Sequence, residues 1–152
     1  MRKTHNGFVT LFVTWLGFVV FSFSLAVAVL AERHWQEVRT FSHATRAAYL
    51  AESALEIGKE RYSQKTSRFL LLRETLVLKD IDGLQAGEAM RVQFKAKNEK
   101  GILQGTLRGI GSSPVEGKDG LEQMEKTCAV PFTAVYDTTE RKWNFTFGAY
   151  KV

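Results

Sequence analysis

The sequence predicts an α+β protein: a long N-terminal helix, its first half transmembrane, packed on a small antiparallel sheet of about four strands. Three observations carry this. Residues 8 to 31 form an apolar run without a charge. No Pro or Gly follows until Gly58, and the residues between are mostly good helix formers. Beyond Gln64 the pattern changes to alternation of apolar and polar residues, the period of a half-buried strand. The domains expected are a leader at 1–7, a transmembrane helix at 8–31, its extramembrane continuation at 32–64 and a sheet domain at 65–152.

Phe8 to Ala31 spans 24 residues, about 36 Å as a helix at 1.5 Å per residue. That exceeds a hydrocarbon core of about 30 Å, so the run crosses with some tilt. Its hydroxyl residues, Thr10, Thr14, Ser22 and Ser24, are tolerable in lipid if each bonds back to a carbonyl one turn earlier. Gly17 lets a second helix approach closely. Arg2 and Lys3 precede the run, while Glu32 and Arg33 nearly cancel after it. The positive-inside rule then puts the N-terminus in the cytoplasm and the later residues outside. A buried core helix of this length does not suit so small a domain. A cleavable signal, cut after Ala31, would have an unusually long apolar core.

From Glu32 to Gln64 a stripe recurs at Ala44, Ala48, Ala51, Leu55, Gly58 and Tyr62, widened by Ala47 and Ala54. Its intervals alternate between three and four, the period of one helix face. Small residues bury little area but let a sheet or a neighbouring helix come close. Run together, Phe8 to Gln64 would make a helix of about 85 Å.

In the outer domain, Ser67 to Lys79 is ambiguous between loop, strand and helix. Met90 to Lys97 alternates cleanly, Asn98 to Gly101 is a turn, and Ile102 to Ile110 returns as a strand. Gly109 to Gly120, rich in Gly, Ser and Asp, reads as a loop. Thr127 to Tyr136 is a further strand, edge or bulged at Pro131, and Trp143 to Ala149 a last one. The glycines of Gly105 to Gly111 read as a bulge or close packing.

Chemistry is sparse. The three histidines, His5, His34 and His43, lie in or near the anchor, and Cys128 is alone, which suits a small buried residue in a strand. No nucleophile elbow, zinc-helix motif or phosphate loop occurs. Asp80 to Gly83 lacks the later ligands of a calcium loop and reads as a turn. No enzyme, cofactor, metal or small-molecule substrate is expected. The chain carries a net +5, of which residues 65–152 carry 14 Lys and Arg against 11 Asp and Glu. With no dense basic run, nucleic-acid binding stays open but unsupported.

The junction Asn6-Gly7-Phe8-Val9-Thr10-Leu11, followed by the apolar run and the segment Ala48-Tyr-Leu-Ala-Glu-Ser-Ala-Leu-Glu56, resembles the prepilin class: type IV pilins and the pseudopilins of type II secretion and competence. The resemblance covers roughly residues 1 to 62, and beyond that it is one of layout. It implies cleavage by a prepilin peptidase between Gly7 and Phe8, methylation of Phe8, and partners among other pilin-like subunits. Major subunits of the class carry a glutamate where this chain has Phe12. A buried charge there would pair with a neighbour's amino terminus, which Phe12 cannot do, so the resemblance points to a minor or tip-like subunit. The implied place is a bacterial inner membrane, crossed once, in a type IV pilus, type II secretion or DNA-uptake machine. Ala44, Ala48, Ala51 and Leu55, with Phe12 and Gly17, are the expected packing and assembly positions. Two alternatives remain: an unprocessed membrane-anchored interaction protein, and a secreted domain cut after Ala31.

Overall fold

The computed structural model describes residues 5–67, 70–79, 81–117 and 120–151. Helix α1 runs His5–Ser63 and is followed by β1 Arg73–Leu78, β2 Ala89–Glu99, β3 Ile102–Gly117, β4 Gly120–Asp137 and β5 Lys142–Phe147. The chain divides into two compact units, one up to Thr40 and one from Phe41.

The first unit is helix without tertiary cover. From Phe8 to Leu30 the large apolar side chains lie open, Phe8 at 71% and Phe23 at 70% exposure. The hydroxyls behave as their spacing requires. Thr14 donates to Thr10 O at 2.8 Å, Ser22 to Phe18 O at 2.8 Å and Ser24 to Val20 O at 2.9 Å. These three hydroxyls are thereby satisfied inside their own helix, as an apolar medium demands.

In the second unit the five strands form one antiparallel meander in the order β1-β2-β3-β4-β5. One face is mostly polar, with Val77, Ile102 and Val135 exposed on it, and the other is covered by the part of α1 after Thr40. The buried residues of that part are Ala47, Leu50, Ala51, Ala54, Leu55 and Tyr62. They meet the inward alternates of the sheet: Met90, Val92 and Phe94 of β2, Leu107 of β3, and Cys128, Val130, Phe132 and Ala134 of β4. Tyr62 stacks on Phe94 at 4.4 Å and Phe94 on Phe132 at 4.8 Å. Each such side chain contributes roughly 1.5–3 kcal/mol by leaving water.

Three expectations need correction. The sheet has five strands, because Arg73–Leu78 pairs with β2 as an edge strand. Gly109 to Gly120 is largely ladder, since β3 continues to Gly117 and pairs with β4 as far as Gly117↔Gly120. Pro131 lies in a strand flanked by β3 and β5, not in an edge strand. Its carbonyl accepts from Gly148 N at 2.8 Å, so the side of Pro131 that lacks an N–H faces the chain just past the last β5 pair, Phe132↔Phe147, where one bond of the ladder is forgone. The Asn98–Gly101 turn is as expected, with Lys100 and Gly101 both at positive φ, 53° and 85°, the geometry of a tight two-residue hairpin.

Candidate functional site: the long helix and its seat on the sheet

The seat is built from small residues on both sides. A Cβ at Gly109 would fall 2.0 Å from Ala51 O, and one at Gly111 would fall 2.3 Å from Ala47 O. The helix backbone therefore rests almost directly on β3. Alanines at 47, 51 and 54 and glycines at 109 and 111 are what make that approach sterically possible.

Polar contacts fix the helix in this seat. Arg46 donates to both oxygens of Glu88, at 2.9 and 3.1 Å, and to Gly83 O at 2.6 Å. It thereby ties the loop between β1 and β2 to α1. The Glu88 side chain is only 2% exposed, and the Arg46 hydrogen bonds hold its carboxyl below the usual range against the opposing effect of burial. His43 Nδ1 lies 3.1 Å from Ser113 Oγ. Farther along, Glu74 accepts from Lys65 Nζ at 2.7 Å and Tyr62 Oη at 2.8 Å. Burial, helped by the Glu74 hydrogen bond, pushes the Tyr62 phenol well up, so it stays a donor. Lys59 bridges Glu56 at 2.8 Å and Tyr150 Oη at 2.6 Å and sits over the Tyr150 ring. The Trp143 indole donates to Ser67 O at 2.9 Å, securing the chain just past the helix end.

These contacts hold things in place and offer little to a reacting substrate. Ser113 is 1% exposed, so its pairing with His43 has no access for a ligand. The Cys128 thiol is buried, and burial pushes its pKa up, the opposite of an activated nucleophile. Among the described residues no three His, Cys, Asp or Glu side chains are grouped to hold a metal. Asp80 lies outside the described residues. The neighbouring Asp82-Gly83 forms a turn whose Gly83 has φ 93°.

The sequence-derived positions fall into two groups. Phe8 at 71% and Phe12 at 51% exposure belong to the open apolar helix, and nothing lies within 4 Å of a Cβ built on Gly17. Gly7 is within α1, while residues 1–4 lie outside the described ones. Ala51 and Leu55 are sealed in the domain's own core at 1% and 0% exposure, whereas Ala44 and Ala48 are half-buried at its flank. The buried stripe is Ala47, Leu50, Ala51, Ala54, Leu55, Gly58 and Tyr62, that is, the expected face with Leu50 added and with Ala44 and Ala48 at its margin. Sequence reasoning missed Leu50, Arg46 and Glu88. The last two are 42 positions apart, and nothing local announces their pairing.

The helix containing Phe8–Ala31 is long and apolar enough to cross a membrane. No family model, no curated protein and no solved structure matches the chain.

Proposed function

We propose that the chain is a minor pilin-like or pseudopilin-like structural subunit, anchored once in a bacterial inner membrane with its N-terminus cytoplasmic and its sheet domain outside. It would serve a type IV pilus, a type II secretion system or a DNA-uptake machine. The supporting observation is the division of labour along α1. One stretch of a single helix exposes fifteen large apolar side chains from Phe8 to Leu30, and a later stretch of the same helix contributes to the core of a folded domain. A helix of this kind can exchange lipid contacts for contacts with like helices without altering the domain it carries. Phe12 in place of an acidic residue suits a subunit with no neighbour's amino terminus to neutralise. The same residue also favours the second reading, a permanently anchored interaction protein that is never processed.

The mass and N-terminal sequence of the chain, recovered from cells coexpressing a prepilin peptidase, decide between them. A methylated start at Phe8, abolished by Gly7→Ala, is expected. An intact Met1 would leave the unprocessed anchor, and a start at Glu32 would make the protein a secreted domain.

A further inference from the structure

The cations that look scattered in the sequence are gathered by the sheet. On the face turned away from α1, Arg73 of β1 stands directly opposite Lys95 of β2. Lys97 follows on the same face of β2, about 7 Å along the strand. Arg108 of β3 pairs with Gln93, one step diagonally from Lys95. Lys151, bridged to Ala129 of β4, extends the stripe to the far side. All five are exposed. Among the described residues none of the five is ion-paired. The other two cations of this face already have carboxylates: Arg91 holds Glu125 at 3.1 Å and Lys142 holds Glu140.

Like charges directly across a ladder destabilise it. The Arg73–Lys95 pair is such a case, and Lys97 and Arg108 add to it. An open cleft of about 220 Å³, lined by Arg73, Glu74, Thr75, Gln93, Phe94 and Lys95, lies at this pair. Arg73, Thr75, Gln93 and Lys95 of this lining belong to the face turned away from α1, and Glu74 and Phe94 to the other. Between the cations stand Thr75, Gln93, Gln104, Thr106 and Thr133, short neutral hydrogen-bonding side chains of the kind that contact phosphate and sugar oxygens.

We propose that this face binds the phosphodiester backbone of double-stranded nucleic acid, independently of base sequence. Charge complementarity selects a polyanion. The absence of any aromatic side chain among the described residues of this face leaves no platform for unpaired bases, which argues for a duplex over a single strand. A protein partner would need an apolar centre; here the rows Arg73-Lys95-Thr106-Pro131 and Thr75-Gln93-Arg108-Ala129 turn apolar only on β4, and the exposed apolar residues of this face lie at its margins, Val77 at one end and the cross-strand pair Ile102–Val135 at the other. A lipid-seeking surface would put bulky apolar groups among its cations; between Arg73, Lys95, Lys97 and Arg108 stand Thr75, Gln93, Gln104 and Thr106 instead. The inference does not depend on how the anchor is processed or assembled.

The test is fluorescence anisotropy of a mixed-sequence duplex of about 25 base pairs titrated with the full chain in zwitterionic detergent, from low to physiological salt. Five phosphate contacts give a slope of log K against log salt of about −4.5. The variant Arg73→Gln/Lys95→Gln/Lys97→Gln is expected to bring that slope to about −2 and to weaken binding at least about tenfold at low salt. Its thermal midpoint should be equal or higher, because a like-charge pair has been removed. If its midpoint falls, Lys97→Gln alone should still reduce the slope by about one. The control Arg61→Gln/Lys126→Gln removes charge away from this face and should change affinity less than about twofold. Absence of duplex binding at low salt overturns the proposal, as does a control that weakens binding as much as the triple variant. Capture by vesicles of anionic phospholipid that duplex does not compete away also overturns it, in favour of a lipid surface.

Discussion

Arg46 and Glu88 form an unequal pair. Arg46 is 41% exposed at its side chain and Glu88 2%, so losing either partner has different consequences. Arg46→Gln leaves a nearly buried carboxylate with the Gln85 N–H as its remaining donor. A lost hydrogen bond to a charged group costs about 1–2 kcal/mol at such a half-open site. Glu88→Gln leaves a guanidinium that water can reach and should cost less. The pair also carries a pH signature. Arg46 holds the Glu88 carboxyl below its ordinary 4.5. Its contribution is therefore complete above that pH and fades as pH falls through the lower native value. Glu74 is also depressed and titrates in the same window, so the informative quantity is a difference. Urea unfolding of wild type and Arg46→Gln should show a gap at pH 7 that narrows below pH 4.5. A gap constant with pH would mean that Arg46 acts by packing alone.

At the scale of elements, the contact between α1 and β3 governs the fold. Gly109→Ala would put a methyl 2.0 Å from Ala51 O and 2.7 Å from Leu55 N, and Gly111→Ala one at 2.3 Å from Ala47 O and 2.4 Å from Ala51 N. These obstacles are backbone atoms, so no rotamer change relieves them and the helix must lift from the sheet. Each substitution should cost about 3 kcal/mol or more, read as a lower thermal midpoint. Trimming a side chain, as in Ala47→Gly, should not rescue Gly111→Ala. Gly17→Ala, with nothing near it, should leave the domain's midpoint unchanged. This contact also explains what could be read in advance. Met90–Lys97 and Thr127–Tyr136 were legible because burial on one face imposes alternation. The second half of β3 was not, because Gly-Ile-Gly-Ser-Ser-Pro has turn composition. Its small residues are selected by a helix that comes from 60 positions earlier, and sequence windows do not see that. Edge strand β1 was hidden because Leu70–Leu72 and Leu76–Leu78 are runs without clean alternation. The basic face was hidden because period-two spacing spreads its members along three strands and the C-terminal bridge.

For the whole molecule, the deciding quantity is the apolar surface that the fold leaves uncovered. Fifteen large apolar side chains between Phe8 and Leu30 are exposed. At roughly 1.5–3 kcal/mol each for removal from water, they represent tens of kcal/mol. A folded domain has about 5–15 kcal/mol of net stability in all, so the surroundings of this helix outweigh everything the sheet domain contributes. Hydrocarbon, or a bundle of similar helices, is the environment that satisfies it. None of this surface serves the core cluster, whose members run from Leu50 to Trp143. Removing residues 1–31 should therefore convert a detergent-requiring protein into a monodisperse soluble one with the same cooperative thermal midpoint. Ultracentrifugation without detergent, together with a melt followed by circular dichroism, reads both properties. A shortened chain that aggregates or melts earlier would mean that the apolar half supports the domain's core and does not act as an independent anchor.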